Sequence, residues 1–305
     1  MNPTLQPELS ILLVADSTAE VMSTLRGYGE GIDKARLEVV IVSRYSQALS
    51  AEPVQSEGFT QLQMLSVEGD SFARAEARGV RAATAPYVVF GLPNGAPGPG
   101  YVDAIRAAQM SGDWSVIGPT LVNAGPLNAL SWAVTWIFNG PWLHDPPRGA
   151  MSSVPGHHSA YRREALLALG DELDASLVAG EHLLVALRNR GHRFLLEPAA
   201  VVNVTTASRP GEFITCLFQN ARLYAALRMR HWSMLRRFGY VAGSPLIPLV
   251  RIPRIFKHVR RAGQQRMALS RAPILLAGLA ISAAGEMAGY LLGPGAPWRF
   301  ERRTP

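Results

Sequence analysis

Apolar residues in the first third of the chain form short runs, and the segments between these runs have helical spacing. The runs 10–16 and 37–43 are rich in Val, Ile and Leu, and each predicts a strand. Residues 17–28 and 72–85 carry apolar residues or alanine at helical intervals, which predicts helices. With the next apolar run, this β-α-β-α-β alternation predicts an α/β domain, a mostly parallel sheet with helices on both faces.

That next run, Tyr87–Phe90, ends abruptly in a segment rich in glycine and proline. Seven of the ten residues 91–100 are Gly or Pro, and such residues force the backbone into tight turns. A helix is predicted from about Tyr101 to Met110. A core strand that stops in such a loop marks the carboxyl edge of a sheet, where open α/β folds bind their ligands.

The pattern changes after residue 211, where apolar residues recur at helical spacing over long stretches. Residues 272–292 are nearly uncharged, with Glu286 as the exception. The length of this segment is about that needed to span a bilayer. Its alanines, its glycines and Glu286 make insertion across a bilayer less favourable. A true crossing, a helix pair lying in the membrane interface and a soluble helical appendage all fit this pattern.

Three tryptophans lie close together at Trp132, Trp136 and Trp142. The four-residue spacing of the first two places them on one helix face. Such a face fits either a sugar-stacking or membrane-interface surface, or ordinary core packing.

The net charge of +7 is unevenly distributed along the 305 residues. Residues 209–271 carry thirteen basic side chains and one acid, Glu212. Such a segment attracts anionic surfaces, either nucleic acid or the headgroups of a cytoplasmic membrane leaflet; solvated basic helices are the alternative. No nucleic-acid-binding motif accompanies the charge, so the predicted partner is the membrane surface and not nucleic acid. The single Cys216 excludes an internal disulfide.

Several motifs are arranged as in one enzyme family. Phe90, Pro97, Pro99 and Gly100 form an aromatic-ended strand followed by Pro-x-Pro-Gly and a helix. This pattern resembles the centre of the family 2 glycosyltransferases, nucleotide-sugar enzymes with the GT-A fold. The resemblance implies a GT-A domain over residues 1–208 and a membrane-associated helical region over residues 209–305. Two later segments resemble the same family, Tyr161-Arg-Arg-Glu164 and a helix with Glu181, Leu184, Leu187 and Gly191 in register.

The resemblance also implies where a donor would bind. In that family the ends of the first two strands and the turn after the central strand hold the nucleotide sugar, and nearby arginines can contact phosphate. The predicted donor-binding residues are Ala15, Asp16, Ser43, Arg44, Arg81, Leu92, Asn94 and Arg222.

The catalytic base of the family is an aspartate, and His182 stands in its place. A neutral imidazole can accept a proton from an acceptor hydroxyl near neutral pH, and Glu181 is the alternative base. A purely structural interpretation is also open, in which Glu181 serves the helix N-terminus and His182 is an exposed first-turn residue. His157 and His158 lie near the expected acceptor side, and adjacent residues of a strand point to opposite faces, so at most one would face the site.

The metal-binding chemistry of the family is altered in this chain. Leu92, Pro93 and Asn94 occupy its acidic positions, and Asn203 stands where the family has a metal-binding histidine. Mg²⁺ and Mn²⁺ prefer carboxylate oxygens. We therefore predict no metal ligand, and Mg²⁺ or Mn²⁺ is expected as a cofactor only if it binds at a weakened site.

The motif spacing of the family is present but its metal-binding residues are not, and two functions are compatible with this combination. One is a glycosyltransferase at the cytoplasmic face of the cell membrane, which passes a sugar from a nucleotide-sugar donor to a lipid-linked or polysaccharide acceptor. Arginines such as Arg222 would then offset the leaving-group charge. The other is a catalytically inactive GT-A-like scaffold that binds a partner, a lipid or a glycan.

Overall fold

The computed structural model describes residues 6–15, 17–28, 34–43, 54, 57–59, 61–144, 146–229 and 232–295. Up to residue 139 the strands and α-helices are β1 (Leu9–Val14), α1 (Thr18–Tyr28), β2 (Leu37–Ser43), β3 (Gln61–Ser66), α2 (Phe72–Ala82), β4 (Tyr87–Gly91), β5 (Gly95–Pro97), α3 (Tyr101–Met110), β6 (Val116–Asn123) and α4 (Ala129–Asn139). The later ones are β7 (Gly149–Met151), β8 (Ala160–Arg162), α5 (Arg163–Leu167), α6 (Glu172–Ser176), α7 (Gly180–Asn189), β9 (Phe194–Val204), α8 (Pro210–Arg228), α9 (Met234–Gly243), α10 (Ile247–Arg261), α11 (Gln265–Ser270) and α12 (Ala272–Leu292).

The chain divides into two compact units. The first, which we call the sheet unit, holds Met1–Val122 and Pro147–Asn203. The second, the helical unit, holds Asn123–Pro146 and Val204–Pro305. The predicted division into domains 1–208 and 209–305 stays a prediction.

The nine strands of the described residues form one sheet in the order β3-β2-β1-β4-β8-β6-β9-β5, with β7 paired to β9. β1 pairs in parallel with β2 and β4, and β2 pairs in parallel with β3. Beyond β4 the sheet becomes mixed, because β8 runs antiparallel to both β4 and β6. The predicted α/β fold is confirmed, and its parallel part is the half that contains the expected ligand edge.

Helices cover both faces of β1, as its uniformly buried residues predict. Gly79 of α2 lies against the Leu12 side chain, while Gly91 lies beside Leu13 and beside Tyr28 of α1. Leu12 and Leu13 are successive residues, so they point to opposite faces. Helix α2 begins at Ser71, whose Oγ accepts a hydrogen bond from the Arg74 backbone N–H at 3.3 Å.

A buried glutamate joins three strands near their amino ends. Glu38 of β2 accepts hydrogen bonds from Ser10 Oγ, from Gln63 Nε2 at 2.6 Å, and from the Thr84 backbone N–H at 2.7 Å and Oγ1 at 2.9 Å. Burial by itself raises the pKa of this carboxyl, but the hydrogen bonds outweigh it and hold the pKa below its ordinary value.

We expect Glu38→Gln to lower the free energy of unfolding by about 2 kcal/mol at neutral pH, because an amide NH₂ would face backbone and side-chain donors. A carboxyl whose pKa is lowered by folding stabilises the protein above its unfolded pKa. This contribution is lost as the pH falls through the folded pKa. Urea unfolding at pH 7 and about pH 3 should therefore show the difference between wild type and variant shrinking in acid. A difference that stays constant across this range would contradict the assignment.

The helical unit is built around the contact of α12 with α8. A Cβ atom on Gly285 would lie 2.3 Å from the carbonyl oxygen of Phe218, and one on Gly289 would lie 2.3 Å from that of Arg222. The absence of side chains at these glycines lets the two backbones approach closely. Within the described residues α12 is also the one helix long and apolar enough to cross a membrane, although 44% of its apolar window is buried and core helices share these properties.

Burial decides between the two alternatives for Trp132 and Trp136. Their side chains are 7% and 1% exposed, and Trp136 Nε1 donates a hydrogen bond to Gln264 Oε1 at 2.9 Å. Both residues are therefore packed in the core of the helical unit.

Candidate functional site

The carboxyl ends of β1, β2 and β4 lie side by side, because these three strands are parallel neighbours. Ala15 follows β1 and its N–H donates to the Val42 carbonyl at 3.2 Å. Ser43 ends β2, and its carbonyl accepts from the Val67 N–H at 2.8 Å. Two predicted donor-binding residues, Asp16 and Arg44, fall outside the described residues.

The turn after β4 carries two more of the predicted residues, Leu92 and Asn94. The Gly95 N–H donates to the Leu92 carbonyl at 3.0 Å and closes this turn. Leu92, Pro93 and Asn94 are each half-buried. The turn therefore lies at the same sheet edge as Ala15 and Ser43, and this is the carboxyl edge that the sequence predicted for the turn.

The end of β9 meets the segment that follows this turn. The Gly98 N–H donates to the Val201 carbonyl at 2.9 Å, and the side-chain amide of Asn203 lies near Gly98. The sequence positions at which the resemblance expects metal ligands, 92–94 and 203, thus belong to adjoining segments of the sheet unit.

The side chains at these positions do not suit a divalent cation. They are leucine, proline and two asparagines, and none is a carboxylate. Within the part of the chain that the structure describes, no group of three or more His, Cys, Asp and Glu side chains could hold a metal ion. This donor set does not fit Mg²⁺ or Mn²⁺, which prefer carboxylate oxygens.

The predicted base candidates Glu181 and His182 lie in the first turn of α7. Glu181 is exposed and accepts a hydrogen bond from Ser153 Oγ at 3.4 Å. The His182 side chain is half-buried, and its backbone N–H donates to the Ala179 carbonyl at 2.8 Å. Both residues therefore stand at the helix start that the sequence predicted, and Glu181 is turned toward the loop that precedes β8.

That loop, residues 152–159, connects the start of α7 with the turn after β4. At one end Gly156 packs so closely on Gly180 that a Cβ atom would lie 2.9 Å from the Gly180 Cα. At the other end the His158 N–H donates to the Phe90 carbonyl at 2.8 Å. The base candidates and the donor turn are therefore joined by one continuous segment.

The two histidines of this loop differ in environment. The His158 side chain is buried, and its backbone φ of 61° lies in the left-handed region. Its Nδ1 lies 3.0 Å from the hydroxyl of Tyr28. Burial lowers the pKa of His158 to about 3, so its ring stays neutral. The His157 side chain is 35% exposed. The expectation that at most one of the two faces the site remains a prediction, and His157 is the one accessible to a ligand.

Glu76 is a residue of this region to which the sequence interpretation gave no role. It lies on the buried face of α2, and its Oε1 is 3.6 Å from His157 Nε2. Burial raises the pKa of Glu76, and His157 opposes that shift. A sequence signal was present, because Glu76 shares a helical face with Ala73, Ala77 and Val80, where an apolar side chain is expected.

The two predicted arginines are engaged in contacts of their own. Arg81 is in the last turn of α2, where its Nη2 lies 2.9 Å from Asp174 Oδ1. Arg222 belongs to the helical unit, and its Nε donates to the Gly293 carbonyl at 2.8 Å. Their roles in donor binding stay predictions.

No protein-family model matches the chain, and none of the curated proteins compared with it matches. Among solved structures, it resembles the mannosyltransferase PcManGT from Pyrobaculum calidifontis, in complex with GDP-Man and Mn²⁺. The TM-score is 0.55 at 14% identity, over 93% of this chain and 88% of that chain. Residues 1–349 of TarS from S. aureus match with a TM-score of 0.49 at 14% identity, over 92% of this chain and 90% of that chain. The first likeness confirms the GT-A fold.

Proposed function

We propose that this protein transfers a sugar from a nucleotide-sugar donor to a lipid-linked or polysaccharide acceptor, as a divergent relative of the family 2 glycosyltransferases. The supporting observation is the convergence of Ala15, Ser43 and the turn 92–94 at one sheet edge, with a single loop connecting that turn to Glu181. PcManGT, which shares the fold, was solved with GDP-Man, and this supports a nucleotide-sugar donor here. In the proposed reaction Glu181 or His182 removes the proton of the acceptor hydroxyl.

Calorimetric titration with GDP-mannose and with UDP-glucose, each with Mn²⁺ or with EDTA, tests the donor class. We expect a saturable binding signal with at least one donor. A folded protein that gives no heat with any nucleotide sugar would contradict the proposal and favour the second candidate function, an inactive GT-A-like scaffold. That candidate is supported by the lack of carboxylates at Leu92, Pro93 and Asn94.

The helical unit supports a location at the cytoplasmic face of the cell membrane. On α9 and α10 and between them, large apolar side chains are exposed: Leu235 at 85%, Phe238 at 57%, Leu246 at 57%, Leu249 at 67% and Val250 at 53%. Leu235 and Phe238 are three residues apart, as are Leu246 and Leu249, so each pair lies on one side of its helical segment. We call these five residues the apolar stripe. An apolar stripe in a strongly basic segment suits a bilayer that contains anionic lipid.

The double variant Leu235→Glu/Leu249→Glu should lose co-sedimentation with vesicles of phosphatidylcholine and phosphatidylglycerol, because two charges would enter the apolar contact. Wild type should remain bound in high salt, which screens attraction between charges but not apolar insertion. Met110→Glu is the matched control, since Met110 is 85% exposed on α3 of the sheet unit. Equal sedimentation of the double variant and wild type, or no sedimentation of wild type, would contradict membrane binding through this stripe.

A further inference from the structure

A departing nucleoside diphosphate carries negative charge that an enzyme has to offset. The turn 92–94 offers no carboxylate to hold a divalent cation. Arg81 is paired with Asp174, and Arg222 donates to a carbonyl of the helical unit. Both of these arginines are therefore engaged in other contacts.

The pairing of β8 with β4 brings His157 to this turn. The two strands run antiparallel, with Val89 opposite Ala160, so residues before 160 continue past the end of β4. The hydrogen bond from the His158 N–H to the Phe90 carbonyl holds the loop in that place. The His158 ring covers Gly95, where a Cβ atom would lie 2.1 Å from Nε2. Continued residue by residue, the register of β8 with β4 brings His157 level with Leu92, the first residue of the turn.

A buried carboxylate orients the imidazole of His157. The side chain of Glu76 is 5% exposed and its Oε1 lies 3.6 Å from His157 Nε2, so a ligand would bind through the other ring nitrogen, Nδ1. A carboxylate next to an imidazole stabilises the protonated ring. A buried, unhydrated Glu76 is in turn stabilised when that ring carries the positive charge.

A second observation at the same turn also indicates a polar ligand. His158 Nε2 is fully buried and has no hydrogen-bond partner among the residues that the structure describes, although it faces the backbone of the turn at Gly95. Buried polar atoms in native proteins are rarely left without a partner.

We propose that His157, protonated and held by Glu76, binds the diphosphate of a nucleoside diphosphate at the turn 92–95 in place of a divalent cation. The inference rests on the proposed function and adds the group that recognises the leaving group. His157 donates a hydrogen bond from Nδ1 to a phosphate oxygen, and no covalent bond is formed or broken by this contact.

Other titratable groups lie around the loop, and Arg188 donates to the Ser152 carbonyl at 2.9 Å at its start. His158 stays neutral because burial lowers its pKa to about 3. Tyr161 stays neutral because burial, with smaller effects of Glu76 and Glu181, raises its pKa. Glu181 is an exposed carboxylate on α7. Only a protonated imidazole adds positive charge, and more of an imidazole is protonated at pH 6 than at pH 8, so a diphosphate should bind more tightly at pH 6.

The test is calorimetric titration of the full chain with UDP and with GDP at pH 6 and pH 8 in the presence of EDTA. At pH 6 we expect His157→Gln to bind about tenfold more weakly than wild type, the effect of one charge-assisted hydrogen bond. At pH 8 the affinities of wild type and His157→Gln should differ much less. Because the two proteins are compared at the same pH, ionisation of the nucleotide affects both equally. Glu76→Gln should reduce the affinity at pH 6 in the same direction.

His192→Gln is the control, because His192 Nδ1 pairs with Ser115 Oγ at the far end of β9 and its replacement should leave affinity unchanged. Circular dichroism melting shows whether each variant is folded. If wild type binds only with Mn²⁺, or if folded His157→Gln binds as well as wild type at pH 6, the inference is wrong while the proposed function stands. If folded wild type binds neither nucleoside diphosphate under any condition, both are wrong.

Discussion

Glu181→Gln should slow sugar transfer by roughly 100- to 10,000-fold, the usual contribution of a general base. The glutamine keeps the shape of the side chain and its hydrogen bond from Ser153, but it cannot accept a proton from the acceptor hydroxyl. Because Glu181 is exposed and lies beside the 152–159 loop, it is the better placed of the two base candidates. Product formation at saturating donor and acceptor measures the effect on kcat.

Two further variants complete the test of Glu181 as the general base. Glu172→Gln removes another exposed carboxylate, one that pairs with Arg190 on the surface, and should leave kcat unchanged. His182→Gln tests the other base candidate, and the larger loss of kcat identifies the base. A folded Glu181→Gln protein with the kcat of wild type would exclude Glu181 from that role.

Gly289→Ala should lower the free energy of unfolding of the helical unit by about 3 kcal/mol, the upper part of the range for overpacking a core. The new methyl group would lie 2.3 Å from the Arg222 carbonyl oxygen, so α12 and α8 would have to separate. Fluorescence reports mainly on this unit, because Trp132, Trp136, Trp142 and Trp232 lie in it and Trp114 lies in the sheet unit. The midpoint of thermal unfolding followed by tryptophan emission gives the measurement.

Substitution of a control glycine by alanine should instead raise the stability. Gly239 lies within α9, and a Cβ atom there would meet nothing within 4 Å. Gly239→Ala should therefore stabilise the helix by about 0.5–1 kcal/mol, the difference in helix propensity. If Gly289→Ala unfolds at or above the wild-type midpoint, the close approach of α12 to α8 does not exist in solution.

The sheet unit could be predicted from the sequence because local signals determine it. Runs of apolar residues mark β1, β2 and β4, and the Gly-Pro segment after Phe90 marks the turn at the ligand edge. The antiparallel placement of β8 between β4 and β6 could not be predicted this way, since β8 is three residues long and carries no periodic pattern.

The candidate site, too, could be predicted only in part from the sequence. The resemblance to the family 2 glycosyltransferases predicted Ala15, Ser43, Leu92 and Asn94 as donor-binding residues, and the parallel order of β1, β2 and β4 places them at one sheet edge. The contact of Glu76 with His157 joins residues 81 positions apart (157 minus 76) and depends on how a loop packs against α2. Motif spacing within one element holds no information on that contact.

Hydrogen–deuterium exchange of the full chain, with and without a saturating nucleoside diphosphate, tests the central claim most directly. The claim is that the nucleotide binds at the carboxyl edge of β1, β2 and β4. It predicts slower exchange in the turn 92–98 and in the loop 152–159, with little change at the amino ends of the same strands. Protection confined to other segments, with these two unchanged, would contradict it.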